Sequence, residues 1–127
     1  MSAAAACPFC TIPATRIVAA NPLAVALFDI APVTPLHLLV LPRRHIASYF
    51  ELTAAEKRAI DALLARGRRD ILRRDPAVQG FNIAVNVGVA AGQTVLHCHV
   101  HLLPRRPGDG AGVVLDGRAK RLLPGTD

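Results

Sequence analysis

From Leu96 to Leu102 the sequence alternates strictly between apolar residues and histidines, and this alternation constrains the fold more than any other feature. The histidines occupy positions 97, 99 and 101. Two residues is the period of a β-strand, so the three imidazoles are expected on one face of a sheet. The other face would be wholly apolar, formed by Leu96, Cys98, Val100 and Leu102. The pattern therefore predicts a strand that packs on a core with one face and exposes three imidazoles on the other.

Distances along such a strand limit what the imidazoles can bind. At roughly 3.3 Å per residue, His97 and His101 would lie about 13 Å apart, too far to share one metal ion at roughly 2 Å from each nitrogen. Adjacent histidines, about 6.6 Å apart at the backbone, could act on one phosphate. The central His99 suits nucleophilic attack on phosphorus, and a neighbouring imidazolium can neutralise phosphate oxygens. The alternative is a surface strand that carries histidines without a function.

A second alternating segment, residues 81–87, should pair with the histidine strand. Its core-facing positions would be Phe81, Ile83, Val85 and Val87. A short loop, residues 88–92, joins the two segments, and strands joined in this way pair antiparallel. Because their apolar faces must coincide on the core, the sequence predicts Asn82 and Asn86 on the open face beside the imidazoles.

The remaining elements predict an α+β fold. A capping box, Thr53 to Glu56, begins a helix whose apolar stripe recurs at helical spacing, and Asp75-Pro76 ends it. Strands are expected on both sides of this helix, at residues 16–20, 23–30, 36–41, 81–87 and 96–102. This order predicts an antiparallel five-stranded sheet with one long helix on one face.

Composition indicates one globular domain with an anionic partner. The chain has 127 residues, 52% of them hydrophobic, and a net charge of +6. We expect a single domain over residues 1–127, with a core at about 7–110 and no regular element in the tail, residues 111–127. With four Phe, one Tyr and no Trp, the chain lacks the stacking platforms of single-strand nucleic-acid binders. No signal-peptide or membrane-span pattern is present, so we predict a cytoplasmic protein without a membrane partner.

Two cysteines near the N-terminus form a CxxC pair, Cys7 and Cys10. Two thiolates at this spacing can hold zinc, which needs two further ligands. A redox motif would require a helix starting at the first cysteine, and Pro13 does not favour one. Two inert thiols are the third reading.

The segment His97-Cys98-His99-Val100-His101-Leu102-Leu103 resembles the signature of the histidine triad (HIT) family. The preceding Gly-Gln-Thr-Val, residues 92–95, and the following Pro-Arg, residues 104–105, strengthen the resemblance, which extends over residues 7–110. They are most similar to the diadenosine-polyphosphate hydrolase and nucleoside phosphoramidase branches. The resemblance implies a homodimer whose sheets join into one larger sheet, and a purine nucleotide (an AMP conjugate) as substrate.

The resemblance also implies a covalent mechanism that needs no cofactor. His99 would attack the α-phosphate and expel the leaving group, and water would then cleave the nucleotidyl-histidine intermediate. The main-chain carbonyl of His97 would hold the proton of the attacking ring, and His101 would bind phosphate oxygens or the bridging atom. One rival is a nucleotidyltransferase that uses another acceptor. Another is a zinc-stabilised nucleotide-binding adaptor with little turnover.

The resemblance implies roles for further site residues. Those implied around the nucleotide are Asp29 at the ribose, Ile30 at the base, His37 nearby, and Asn86, Gln93 and Thr94 at the phosphate. For His37 a purely structural role is the alternative. The ligands implied for a structural zinc are Cys7, Cys10, His45 and His97. His97 could instead serve only the active site.

Overall fold

The computed structural model describes residues 7–110, 112–114 and 121–123. Its centre is a five-stranded antiparallel sheet in the order β1-β2-β3-β5-β4. The strands are β1 Ile17–Ala20, β2 Ala24–Phe28, β3 Leu38–Pro42, β4 Gly80–Ala84 and β5 Val100–Arg105, and the helix α1 spans Ala54–Arg74. The predicted fold class, an antiparallel five-stranded sheet with one long helix on one face, is confirmed.

Strand β5 lies inside the sheet, between β3 and β4. His101 is paired with Leu39 of β3 on one side and with Ala84 of β4 on the other. Leu39 is in turn paired with Leu27 of β2. The third histidine of the alternating segment therefore lies at the middle of the sheet.

The sheet buries residues on both faces. On the helix side, Cys98, Val100 and Leu102 join the main core, as the alternation predicts. On the other side, β2 and β3 contribute a smaller apolar cluster, against which Phe9 and Ile12 of the N-terminal segment and Ile17 of β1 pack. Strands β2 and β3 are nearly continuous apolar runs, which is the pattern of strands covered on both faces.

Helix α1 begins and packs as its sequence predicts. Thr53 Oγ1 accepts a hydrogen bond from the amide of Glu56, and the Glu56 carboxylate accepts one from the amide of Thr53. Gly67 marks a close approach of the helix to the sheet, because a Cβ at this position would lie 2.5 Å from Leu38 Cδ2. The basic side chains of the helix are exposed, at Lys57, Arg58, Arg66, Arg68, Arg69, Arg73 and Arg74.

The histidine segment differs from the predicted strand over its first half. Strand β5 begins only at Val100, so His97 and His99 precede it in irregular backbone. The amide of Cys98 donates instead to the carbonyl of Ile46, at 2.7 Å, outside the sheet. This bond turns the chain out of the ladder before the strand begins, and Leu96 is left half exposed.

Strand β4 is shorter than predicted and ends at Ala84. Ile83, expected in the core, is 63% exposed. The reason is its place on an edge strand, since β4 has no neighbour beyond it in the described chain. Asn82 lies on the open face as predicted, where it accepts a hydrogen bond from Arg105.

The prediction of an irregular tail is wrong for six residues. Strand β6, Gly112–Val114, pairs antiparallel with strand β7, Arg121–Leu123. Residues 111, 115–120 and 124–127 lie outside the described part. Within the described part of the chain, no helix combines the length and the apolar character needed to cross a membrane.

A buried carboxylate at the start of α1 gives the fold a testable dependence on pH. Arg44 donates two hydrogen bonds to Glu56, at 2.8 and 3.0 Å. These bonds, helped by the bond from Thr53, lower the pKa of Glu56 to about 2. A depressed carboxyl pKa means that the stabilisation is complete above the ordinary pKa and is lost as the pH falls through the folded-state value.

We expect Glu56→Gln to lower the free energy of unfolding at pH 7 by about 1.5–3 kcal/mol, because a neutral amide loses the charge-assisted bonds to Arg44. Glutamine still completes a capping box, so the helix start is kept. In urea unfolding, the difference from wild type should shrink as the pH is lowered from about 4.5 towards 2. Asp70→Asn, a control on an exposed pair of the same helix, should cost less than about 1 kcal/mol. A difference for Glu56→Gln that does not vary with pH would contradict this account.

Candidate active site and metal centre

A cleft of about 410 Å³ lies over the open face of the sheet, above the row formed by Leu39 and His101. The β2–β3 and β4–β5 connections and the N-terminal segment form its walls. The lining residues are Pro8, Phe9, Arg16, Asp29, Ile30, Ala31, Leu39, Asn86, Gly92, Thr94, Val95, His99 and His101. A volume of this size is within the range of small-molecule sites.

The cleft collects most of the residues predicted from the sequence. Those that line it are Asp29, Ile30, Asn86, Thr94, His99 and His101. Three predicted residues, His37, Gln93 and His97, lie behind its walls and are buried. Sequence reasoning missed Phe9 and Arg16. Phe9 lies between the two cysteines of the CxxC pair, and this position was the one sequence feature that could have indicated its place in the cleft.

The ring of His99 is oriented by a main-chain group. Its Nδ1 lies 2.9 Å from the carbonyl oxygen of His97. A carbonyl oxygen can only accept a hydrogen bond, so Nδ1 carries the proton. Nε2 of the neutral ring therefore keeps its lone pair. This is the tautomer that a nucleophilic histidine needs.

His101 is held from behind by a chain of hydrogen bonds. The amide of Val33 donates to His37 Nδ1, at 3.1 Å. His37 Nδ1 is therefore an acceptor, and in the neutral ring the proton lies on Nε2, which donates to His101 Nδ1 at 2.9 Å. By the same reasoning neutral His101 carries its proton on Nε2. The protein thus fixes His99 and His101 in opposite tautomers.

Asp29 lies beside this pair, with Oδ2 3.7 Å from His37 Nε2. Asp29, His37 and His101 place three potential ligand atoms close enough for a metal ion. A neutral His37 that bound a metal through Nε2 would have to carry its proton on Nδ1, where the Val33 amide already points. The hydrogen bonds therefore favour a pair in which His37 Nε2 donates its proton to His101 Nδ1, and they do not favour a metal ion at this place. The aspartate itself is oriented by the amide of Ala31, which donates to Oδ1 at 2.9 Å.

Gln93 is buried and its amide joins three backbone groups. Its Oε1 accepts from the amide of Gly88, and its Nε2 donates to the carbonyls of Ala47 and Val95. These bonds tie the loop before the histidine segment to the segment after β3. This placement does not support the expected contact with the phosphate, because the amide oxygen and nitrogen of Gln93 already bond to backbone groups. Thr94, its neighbour, is exposed and lines the cleft.

A second cluster of titratable side chains lies at the other end of the histidine segment. Cys7, Cys10, His45 and His97 place one ligand atom each within 4.8 Å of one another. His97 Nδ1 lies 3.5 Å from both sulfurs, and His45 Nδ1 lies 3.1 Å from that of Cys10. Ligands of a tetrahedral zinc, with bonds of roughly 2.0–2.3 Å, are separated by similar distances.

The tautomer of His97 fits a metal ligand. Its Nε2 donates to the carbonyl of Pro42, at 2.8 Å, so the lone pair on Nδ1 faces both thiols. A ligand histidine oriented through its other nitrogen by a backbone carbonyl is the usual arrangement in zinc sites. Burial lowers the pKa of His97, which favours the neutral form. Two thiols, two imidazoles and their spacing therefore fit zinc.

Cys98, the third cysteine, does not belong to this cluster. It is 1% exposed within the main core. Burial raises the pKa of its thiol to about 11, so the group stays protonated. Cys98 is a small core residue, as the sequence predicts.

The family model of the HIT domain matches residues 12–108. The chain belongs to the histidine triad (HIT) family, and the resemblance seen in the sequence is confirmed.

Three relatives illustrate the similarity. A HIT-like protein of Synechococcus elongatus is 39% identical over 90 residues, which are 71% of this chain and 78% of that protein. An AP-4-A phosphorylase of Mycobacterium tuberculosis is 32% identical over 125 residues, and the match covers 94% of this chain but only 64% of the phosphorylase. The structure of a Zn-bound histidine triad family protein from Mycobacterium smegmatis is 35% identical, with a TM-score of 0.73 over 84% of this chain and 79% of that chain.

Proposed function

We propose that this protein cleaves dinucleoside polyphosphates or nucleoside phosphoramidates at the α-phosphate, through a nucleotide bound covalently to His99. One observation carries the proposal. His99 donates its Nδ1 proton to the His97 carbonyl at 2.9 Å, so Nε2 keeps a lone pair beside a cleft of nucleotide size. The similarity to an AP-4-A phosphorylase, whose name states a dinucleoside polyphosphate substrate, supports the same substrate class.

The reaction proceeds in two displacements. His99 Nε2 attacks the α-phosphorus, a bond from nitrogen to phosphorus forms, and the bond to the leaving group breaks with its electron pair on that group. His101, with its proton on Nε2, donates a hydrogen bond to a phosphate oxygen or to the bridging atom. Water then attacks the same phosphorus and gives up a proton to the solvent, the bond from phosphorus to nitrogen breaks with its electron pair returning to His99 Nε2, and AMP leaves.

The remaining cleft residues bind the nucleotide in this proposal. Asp29 would accept hydrogen bonds from the ribose hydroxyls, and Ile30, which is 82% exposed, would pack against the base. Asn86 and Thr94 would donate hydrogen bonds to the phosphates. Arg16 adds positive charge to the cleft wall.

The hydrolase and the rival transferase differ in the molecule that accepts the nucleotide from His99, which is water for the hydrolase. The relative named as a phosphorylase favours inorganic phosphate as a second candidate acceptor. Incubation with Ap4A, with and without phosphate, distinguishes the two by their products. The proposed hydrolysis gives AMP and ATP under both conditions. Phosphorolysis gives ADP and ATP, and only when phosphate is present.

Adenosine phosphoramidate tests for the adaptor with little turnover. Saturable release of AMP supports the enzyme. Tight binding of AMP without turnover of either substrate would support the adaptor and contradict the proposal.

We also propose that the protein is cytoplasmic and that it forms a homodimer. The two sheets of the dimer would join along β4. This edge strand has no partner in the described chain, and the apolar side chain of Ile83 is exposed on it. Sedimentation equilibrium should give twice the mass of one chain, and Ile83→Lys should give a single chain. A wild-type protein that stays monomeric at micromolar concentrations would contradict the dimer.

A further inference from the structure

We propose that the metal-binding turn at Cys7 and Cys10 positions the nucleophile, and that Phe9 is the positioning residue that transmits this effect. The proposal rests on the proposed function, in which His99 attacks phosphorus. In this proposal the metal cluster takes no part in the reaction itself. It acts on catalysis indirectly, because it holds Phe9 in place against His99.

The turn places Phe9 between the metal cluster and the nucleophile. Cys7 and Cys10 lie at the two ends of the turn and both belong to the cluster, and the amide of Cys10 donates to the carbonyl of Cys7 at 3.2 Å. Phe9 lies between them and lines the cleft. Its ring meets that of His99 edge to face, with centroids 5.0 Å apart and an interplanar angle of 72°.

Two contacts of the His99 ring lead back to the same cluster, whereas a further ring contact, with His101 at 5.0 Å between centroids, does not. The first is the hydrogen bond from Nδ1 to the carbonyl of His97, which is itself a cluster member. The second is the edge of Phe9, which also meets the ring of His97, with centroids 6.0 Å apart. A hydrogen bond on one nitrogen does not by itself set the tilt of an imidazole, and the edge of Phe9 restricts the tilt of the His99 ring.

A bound metal would therefore orient His99 although it lies outside the reaction. Four ligands in one cluster fix the positions of Cys7, Cys10 and His97 relative to one another. Without a metal, the contacts that attach the turn to the sheet include those of Phe9 and Ile12 with the apolar cluster on β2 and β3, and the bonds from Cys10 and Thr11 to the Cys7 carbonyl lie within the turn itself. A nucleophile that is poorly oriented reacts slowly even when substrate still binds.

The alternative is that Phe9 serves only as a wall for the substrate. A wall residue affects binding, so its loss raises KM. A positioning residue affects the orientation of the attacking nitrogen, so its loss lowers kcat with little change in KM. The two roles also differ in the absence of substrate, where only the positioning role changes the balance of the two His99 tautomers.

The experiment compares Phe9→Ala, Phe9→Leu and Ile12→Ala in the full chain. Ile12 packs on the same apolar cluster as Phe9 but does not line the cleft, so it is the matched control. Three quantities are measured on each: zinc per chain, kcat and KM with Ap4A, and the imidazole signals of His99 in long-range 1H–15N spectra of the substrate-free protein.

We expect Phe9→Ala to keep its zinc and its KM within about twofold, and to lose about tenfold or more in kcat. The His99 ring should shift towards a mixture of tautomers, and removal of zinc from the wild type by a chelator should produce the same shift. If the alanine variant does not fold, Phe9→Leu takes its place. It should show the same loss in kcat. Ile12→Ala should match the wild type in all three.

Two results would overturn the inference: an unchanged kcat with zinc bound, or a rise in KM alone. An unchanged balance of His99 tautomers in both Phe9 variants and after zinc removal would also overturn it. The spectra require no turnover, so they test the positioning even if the proposed reaction fails, whereas a wild type without turnover would contradict the proposed function alone.

Discussion

Replacing His99 with alanine should lower kcat by at least about 10⁴-fold, because the variant has no nitrogen to attack phosphorus. The remaining groups of the cleft still bind the nucleotide, so AMP should bind the variant with similar affinity. Turnover of Ap4A under single-turnover conditions and calorimetric titration with AMP measure the two quantities.

The matched control for this variant is His99→Asn, which keeps a polar group that can donate to the His97 carbonyl. It should be as inactive as the alanine variant. Both should keep the wild-type melting temperature within a few degrees, since the ring is only partly buried. An alanine variant with near wild-type turnover would show that His99 is not the nucleophile.

Loss of either cysteine of the metal cluster should lower the melting temperature by about 10 °C or more. Zinc that binds only the folded state adds its binding free energy to stability. For a domain of this size, about 3 kcal/mol corresponds to roughly that shift. Cys7→Ser and Cys10→Ser, measured by calorimetry beside the wild type with and without a chelator, test this expectation.

Cys98→Ala is the matched control, because Cys98 is buried outside the cluster. It should keep one zinc per chain, whatever its effect on packing. His45→Ala and His97→Ala should both release zinc. Wild-type protein that contains less than about 0.2 zinc per chain, with reduced cysteines, would contradict a structural site of ordinary affinity.

The alternation of histidines predicted which side chains share a face, but not where the strand begins. Cys98, Val100 and Leu102 pack on the core and His101 faces the cleft, as their spacing requires. The strand starts only at Val100, since the amide of Cys98 bonds to Ile46, more than fifty residues earlier. A local pattern carries no information about such a distant partner. Ile83 was misplaced for the same reason, because its strand lies at an edge that only the strand order reveals.

The resemblance indicated which residues lie near the candidate site. It did not indicate how the side chains of Gln93 and His37 are oriented there. Asp29, Asn86 and Thr94 do line one cleft with His99. Gln93 was expected at the phosphate, yet its amide is held by backbone groups of its own loop and of Ala47. The bond from the Val33 amide to His37, which sets the tautomer of His101, depends on a turn that no side-chain pattern indicates.

Mass spectrometry of a quenched reaction tests the central claim most directly. Wild-type protein mixed with Ap4A for milliseconds and denatured at alkaline pH, where a phosphorus–nitrogen bond survives, should contain chains heavier by one adenylyl group. Digestion should place that group on His99. Rapid turnover with no adduct on the chain, or an adduct on a residue other than His99, would contradict the two-step reaction proposed here.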